Sequence, residues 1–292
     1  MIGMYCFLAG TVFALWAQRT RSVKTIRDQT ARSSQTANES PVDQVAIVSI
    51  GEVRSGFKTK RGVPRQGSLA PSLRAKVVLH PHLVSSDTLI GLEEFSHVWI
   101  LFVFSRNSNG EEVERWKSRD KNLFKSKVRP PVLGGRKVGV FSTRSPHRPN
   151  PIGMTLARIE SVDVAKGVLV VSGIDLCDHT PVVDLKPFVP ADVVPEPRFA
   201  SWVMAPQPYE VVFTAEAEEG LRTCGRGRKY YEDLGALRDA VTDVLALDVR
   251  GVSQKRGAVE PGVTHKVVVD GVVVVFSFEA DRQVLVRSAS LQ

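Results

Sequence analysis

Between Lys121 and Ile159 the sequence contains no aspartate or glutamate, although 31 acidic residues are spread over its 292 positions. The same span holds nine cations: Lys121, Lys125, Lys127, Arg129, Arg136, Lys137, Arg144, Arg148 and Arg158. Surfaces ordinarily mix signs, so such a run calls for a partner that supplies negative charge, and a phosphate backbone is the commonest one. A solvated basic face is the plainer alternative. Cysteine is scarce too. Cys6, Cys177 and Cys224 lie too far apart to form a disulfide framework or a zinc cluster, which points to a reducing compartment such as the cytoplasm. No Gly-x-Gly-x-x-Gly follows a strand pattern and no Gly-x-x-x-x-Gly-Lys-Ser/Thr occurs, which argues against Rossmann and P-loop nucleotide sites. His80-Pro-His82 has no third ligand nearby, so no metal is assigned to it.

What is present divides into four stretches. Residues 1–41 open with an apolar run, Met1 to Ala17, followed by Arg19, Arg21, Lys24, Arg27 and Arg32 in a polar linker. Seventeen apolar-leaning residues sit at the lower limit for a membrane span, and the cations that follow them are misplaced for a secretory signal. A marginal membrane anchor through residues 1–17, an organellar leader and a disordered extension all remain open. Residues 42–190 carry short apolar runs with period-2 alternation. Val45–Val53, Arg74–His80, His97–Phe104, Lys137–Phe141, Leu156–Val164, Val168–Ser172 and Val182–Lys186 read as strands, and Lys166-Gly167 reads as a hairpin turn. Thr88–Phe95 reads as a short helical turn and Asn107–Lys127 as a polar excursion. Many short strands with few helices predict a mainly β fold, a β-barrel or a barrel-like sheet.

Six prolines between Pro187 and Pro208 mark a boundary, with 191–208 as a proline-rich linker. Residues 209–292 then read as a small α+β domain. It has a strand at Tyr209–Thr214, a helix stripe of Leu234, Leu237, Val241, Val244 and Leu245, and a hairpin around Asp270-Gly271.

Two stretches carry chemistry. From Gly139 to Gly153, Pro146, Pro149 and Pro151 rule out a helix interior or a central strand, which leaves a stiff extended loop. That loop presents Arg144, His147, Arg148 and Asn150, a preorganised set of donors. From Ser172 to Pro190, Asp178 reads as a turn cap. Asp175 and Asp184, flanked by apolar residues, suit the orientation of an amine or the work of a base.

These two stretches, together with Gly91-Leu-Glu-Glu-Phe-Ser-His-Val-Trp-Ile-Leu-Phe-Val-Phe104 and Val63-Pro-Arg-Gln66, resemble the TsaA-like family known as TrmO. Its members are tRNA (adenine-37-N6)-methyltransferases. The resemblance is strong over about residues 45–190 and looser beyond, with Asp248-Val-Arg250 where the family usually has Asp-Pro-Arg. It implies a β-barrel S-adenosylmethionine enzyme acting as a homodimer on tRNA that carries N6-threonylcarbamoyladenosine at position 37. Carried onto this chain, the cofactor contacts fall at Gly67, Ser68 and Leu69, at Ser105 and Arg106, at Arg144 and Met154, and at Ser172, Gly173, Ile174 and Asp175. Ser105 stands where the family often has His, His179 where it has Gly, and Val132 where Arg is frequent.

The mechanism expected from this resemblance is in-line transfer from sulfonium to N6, accelerated by holding donor and acceptor at attack distance. Arg144 and Asp175 then fix the cofactor, and Arg148 and Asn150 hold the modified adenosine or its threonyl carboxylate. Asp184 and Lys186 are weaker candidates for orienting the site, and no general base is identified. Two rivals stand beside this reading: a non-enzymatic basic RNA-binding protein that keeps the barrel, and a membrane-tethered adaptor.

Overall fold

Burial alternates along β2 (Arg74–Leu79), with Ala75, Val77 and Leu79 inside and Arg74, Lys76 and Val78 half-covered. The same two-residue period runs through β1 (Gly51–Ser55) and β3 (His97–Val103), which turn Val53, Val98, Ile100 and Phe102 inward. With β6 (Ile152–Asp163), β7 (Val168–Ser172) and β8 (Pro181–Pro187) these strands close a six-stranded barrel in the order β1-β2-β7-β6-β3-β8. Closure is made by β8 on β1, where Gly51 pairs Val182 and Glu52 pairs Pro181. A barrel this small is filled by its own side chains, so its interior is packed core rather than a ligand lumen. This is a computed structural model, and it describes residues 47–105, 126–203, 207–225, 227–231, 233–247 and 262–292. The N-terminal apolar stretch and its linker, Arg106, most of the excursion after Asn107 and Asp248–Arg250 lie outside the described residues.

Several elements differ from the sequence expectation in their extent. The first strand begins at Gly51 because its partner β2 ends at Leu79, the residue opposite. Lys137–Phe141, expected as a full strand, pairs only over β5 (Val138–Gly139) with β4 (Lys127–Val128). Pro130 and Pro131 follow β4 and have no N–H to extend the ladder beyond the Val128–Val138 pair; at its other end, after Gly139, the chain turns into a 3₁₀ segment at Val140–Ser142. At Lys166-Gly167 the expected hairpin is present, with Gly167 at φ 63° ending a 3₁₀ turn.

Beyond β8 the residues from Val193 to Val203 are extended or bent, and several are exposed. The C-terminal region is a four-stranded sheet ordered β10-β11-β12-β9, from β9 (Glu210–Phe213), β10 (Thr264–Val269), β11 (Val272–Phe278) and β12 (Gln283–Leu291). Asp270 and Gly271 both have positive φ, 47° and 78°, as a type I′ turn requires. Two helices accompany this sheet. α1 (Ala215–Cys224) was not expected from the sequence; Thr214 caps it by accepting from the Ala217 N–H, and Glu216 and Glu218 occupy its first turn. α2 (Leu234–Ala246) is the expected helix, starting at Leu234 because Asp233 accepts from the Ala236 N–H at 2.7 Å. Among the described residues, no helix is long and apolar enough to cross a membrane.

Barrel and C-terminal region share one apolar core within a single unit, Val48–Gln292. Two polar contacts fasten the seam. The Ser72 N–H donates to Asp243 Oδ2 on α2 at 2.8 Å, and the Arg74 N–H donates to the Tyr231 hydroxyl at 3.3 Å. Both N–H groups lie just past the Gly67–Leu69 turn, so the C-terminal region braces the loop that enters β2. Asp243→Ala strands the Ser72 N–H and is expected to destabilise the fold by about 1–3 kcal/mol. Chemical denaturation measures this, and an unchanged midpoint removes the brace.

Candidate active site

Around one cleft of about 950 Å³ gather the end of β3, the start of β6, the segment after β7 and the proline-bearing loop. Three features of the sequence build it. First, the loop is pinned by its own short side chains. The Thr143 hydroxyl donates to the Val140 carbonyl at 2.8 Å and accepts from the Ser145 N–H, and the Ser145 hydroxyl accepts from the His147 N–H. The Pro151 carbonyl then accepts from the Phe104 N–H at 2.8 Å, which ties the loop to the end of β3. Second, Gly153 packs against the outer end of the Phe102 ring, where a Cβ would come within 2.2 Å of it. Phe102 and Phe104 meet edge to face, 4.9 Å between centroids, as an aromatic wall. Third, Gly67 presses on the Gly173 carbonyl so closely that a Cβ would sit 1.9 Å from that oxygen. This contact holds the Pro64-Arg65-Gln66 loop against the segment that carries Asp175.

Arg65, Arg129, Arg144, Arg148, Asn150 and Asp175 supply the ionic and polar lining; Phe102, Phe104, Phe141, Met154 and Trp202 supply the apolar part. Asp175 is the sole carboxylate among the described lining residues. Its Oδ1 is sealed from solvent and has no hydrogen-bond partner. Burial pushes the Asp175 carboxyl up to about 6, while the Thr155 side chain, the backbone N–H groups of Asp175 and Gly67 and the charge of Arg144 pull it down. Arg148 stacks over the Phe141 ring with its guanidinium carbon 5.7 Å from the centroid, and donates to the Thr143 carbonyl at 3.4 Å.

The residues singled out in the sequence divide between several places. Arg144, Arg148, Asn150, Met154 and Asp175 share the cleft. Gly67 and Ile174 are buried behind it, and Leu69 is half-buried. Ser68, Ser172 and Gly173 open instead onto a second cleft of about 580 Å³, with Arg74, His97, Arg158, Glu160 and Asp239. There the Ser172 hydroxyl donates to Glu160 Oε1 at 2.6 Å. Ser105 is exposed directly after Phe104, and Arg106 lies outside the described residues. Asp184 and Lys186 form an ion pair with each other at 2.8 Å and do not line the cleft. Asp178, expected as a turn cap, accepts instead from the Ser55 N–H at the end of β1, at 3.1 Å.

Thr155 and Trp202 were not anticipated. Thr155 had a signal: it occupies the inward phase of β6, between Gly153 and Ala157, where a buried hydroxyl needs a polar neighbour. Trp202 had none, since it arrives from the segment after β8 by tertiary placement alone.

The tRNA-methyltransferase O N-terminal domain family matches residues 52–192. The mouse tRNA (adenine(37)-N6)-methyltransferase is 46% identical over 142 residues, 48% of this chain and 30% of that protein, so the chain spans less than a third of its length. The Escherichia coli protein of the same name is 39% identical over 223 residues, covering 75% of this chain and 86% of that one. A Pseudomonas aeruginosa protein, the putative S-adenosylmethionine-dependent methyltransferase RcsF, is 42% identical over 186 residues, 61% and 72% of the two chains. A solved structure of TrmO superposes with a TM-score of 0.66 at 29% identity, covering 85% of this chain and 99% of that one.

Two outcomes follow from this geometry. The Asp175 carboxyl binds its proton more tightly folded, near pH 6, than unfolded, near 3.8, so stability falls as pH rises through that window. The full penalty, about 3 kcal/mol, applies above it. Asp175→Asn is therefore expected to melt higher than the parent at pH 7.5 and to flatten the decline between pH 4 and 6; a lower Tm at pH 7.5 contradicts this. Gly67→Ala forces a methyl into the Gly173 carbonyl and is expected to cost about 1–3 kcal/mol, read by denaturant midpoint.

Proposed function

The chain belongs to the tRNA-methyltransferase O family, and we propose that it transfers a methyl group from S-adenosylmethionine to N6 of adenosine 37 in tRNA, acting on the threonylcarbamoyl form of that base. One observation supports the reading above the others. A preorganised proline loop brings Arg144, Arg148 and Asn150 over an aromatic wall, opposite a lone carboxylate, in a cleft of ligand-binding size.

The residues present suit the donor. Phe102, Phe104 and Met154 offer apolar surface to an adenine ring, and the under-solvated Asp175 carboxylate suits a neighbouring cation. The donor, when bound, supplies an electrophilic methyl group on a sulfonium. Arg144, Met154 and Asp175 hold it in this reading, with Gly67 fixing the depth of the site from behind. Arg148 and Asn150 orient the acceptor: Arg148 is already splayed over Phe141, and its fork is matched to a planar carboxylate such as that of a threonyl group. The arginines at the rim, Arg65 and Arg129, meet the RNA phosphates. Acceleration then comes largely from holding two reactants in register. The reading includes a cytoplasmic homodimer; sedimentation as a monomer at micromolar concentration overturns the pairing.

Methyl transfer from labelled S-adenosylmethionine to two preparations of one tRNA, with and without threonylcarbamoyl at adenosine 37, tests the reading. Label is expected on the modified tRNA alone. Arg148→Ala is expected to lower kcat/KM on that substrate by roughly 10–100-fold, the loss of one charge-assisted contact. Equal labelling of both tRNAs removes the role given to Arg148 and Asn150. Binding of tRNA without any transfer favours a non-enzymatic RNA-binding protein.

A further inference from the structure

We propose that the carboxylate of Asp175 accepts the N6 proton during methyl transfer, a role that rests on the methyltransferase reading above. The need for an acceptor follows from the chemistry. N6 of the acceptor gains a bond to carbon and gives up its bond to hydrogen. The methyl carbon parts from sulfur, which keeps the electron pair of the broken bond, and the proton must leave nitrogen. Something within reach has to take it.

The cleft narrows the choice to one group. Its other described ionisable residues are Arg65, Arg129, Arg144 and Arg148, and guanidinium groups carry their proton at every working pH and accept none. Gln66, Thr143, Ser145 and Asn150 are no better as bases. Asp175 lies on the segment after β7 and faces Thr155 of β6, the Gly67 turn and Arg144 of the proline loop, whose charge acts on it. His147, the sole imidazole between Gly139 and Gly153, does not line the cleft.

The surroundings of Asp175 also suit a proton acceptor. The Thr155 side chain and the Gly67 and Asp175 N–H groups serve this carboxyl and pull its proton affinity down, but Oδ1 is left without a partner and burial outweighs them, so the affinity rises. Burial raises the carboxyl to about 6, which leaves it ionised at neutral pH and more basic than an ordinary aspartate. Arg144 and the Gly67 N–H keep it from rising further. This balance is that of a base tuned to work near neutrality.

The test uses the full chain and three readouts. In donor-free protein carrying ¹³C-labelled aspartate, one carboxyl resonance, lost in Asp175→Asn, is expected to titrate near pH 6. Calorimetry is expected to show Asp175→Asn losing S-adenosylmethionine affinity by far less than it loses rate, since Asp175 also contacts the donor. Single-turnover transfer at saturating donor is expected to fall by at least about 100-fold in that variant, as for loss of a general base. In the parent the rate rises with pH through a single limb near 6, and this limb persists in His147→Asn. Retention of the single-turnover rate in Asp175→Asn overturns the proposal. So does a loss of donor affinity that matches the loss of rate, which makes Asp175 a donor ligand alone. A parent that binds donor and tRNA yet transfers nothing overturns the methyltransferase reading, and this inference falls with it.

Discussion

Two glycine backbones touch where no side chain fits. Gly67 packs on the Gly173 carbonyl, and Gly173 itself sits at φ 68°, so the Pro64-Arg65-Gln66 loop and the strand end after β7 meet at backbone distance. The rest of the cleft depends on this approach. It sets the depth at which Asp175 lies, and it brings Arg65 and Gln66 to the rim. Across the opening, a second glycine contact does the same work in reverse: Gly153 lies on Phe102, so the proline loop enters β6 flush with the aromatic wall. The barrel supplies rigidity, and these two close approaches turn its surface into a site.

Charge is distributed with equal economy. Four arginines and one aspartate line the cleft among the described residues, and one oxygen of the aspartate is buried without a hydrogen-bond partner. Such a carboxylate destabilises the folded chain above its own pKa, a cost the packed barrel and the shared core absorb. Stability surrendered at a reactive group is a common feature of functional sites. The brace from Asp243 and Tyr231 to the residues entering β2 gives the C-terminal region a part in this, since it steadies the strand that follows the Gly67 turn.

Much of the barrel was legible in the sequence, because a half-buried strand writes its burial into every second residue. Arg74–His80 and His97–Phe104 are the clearest cases, and Asp270-Gly271 announced its hairpin through the positive φ that turn demands. The donors of the proline loop were legible as well, since three prolines exclude other structures for Gly139–Gly153. What escaped was placement. Phe102 and Phe104 read as core, and Phe102 is buried, but both also border the cleft at the strand end, which no residue pattern announces. Ser68, Ser172 and Gly173 belong to segments that pass the site but open onto another cleft, a distinction made by backbone direction and not by residue type. Asp184, flanked by apolar neighbours, looked like a site carboxylate and instead pairs with Lys186, two residues along the same strand face. α1 escaped because it follows directly on the strand pattern of Tyr209–Thr214 and carries Gly220 in its interior, which weakens a helical reading.

A crystal structure of the chain with S-adenosylhomocysteine tests the central claim most directly. The account predicts the ligand in the cleft beneath the proline loop, touching the Pro64-Arg65-Gln66 loop, Arg144, Met154 and Asp175, with its sulfur facing the space beside Arg148 and Asn150. A ligand lodged in the neighbouring cleft with Arg74 and Arg158, or elsewhere on the barrel, contradicts it.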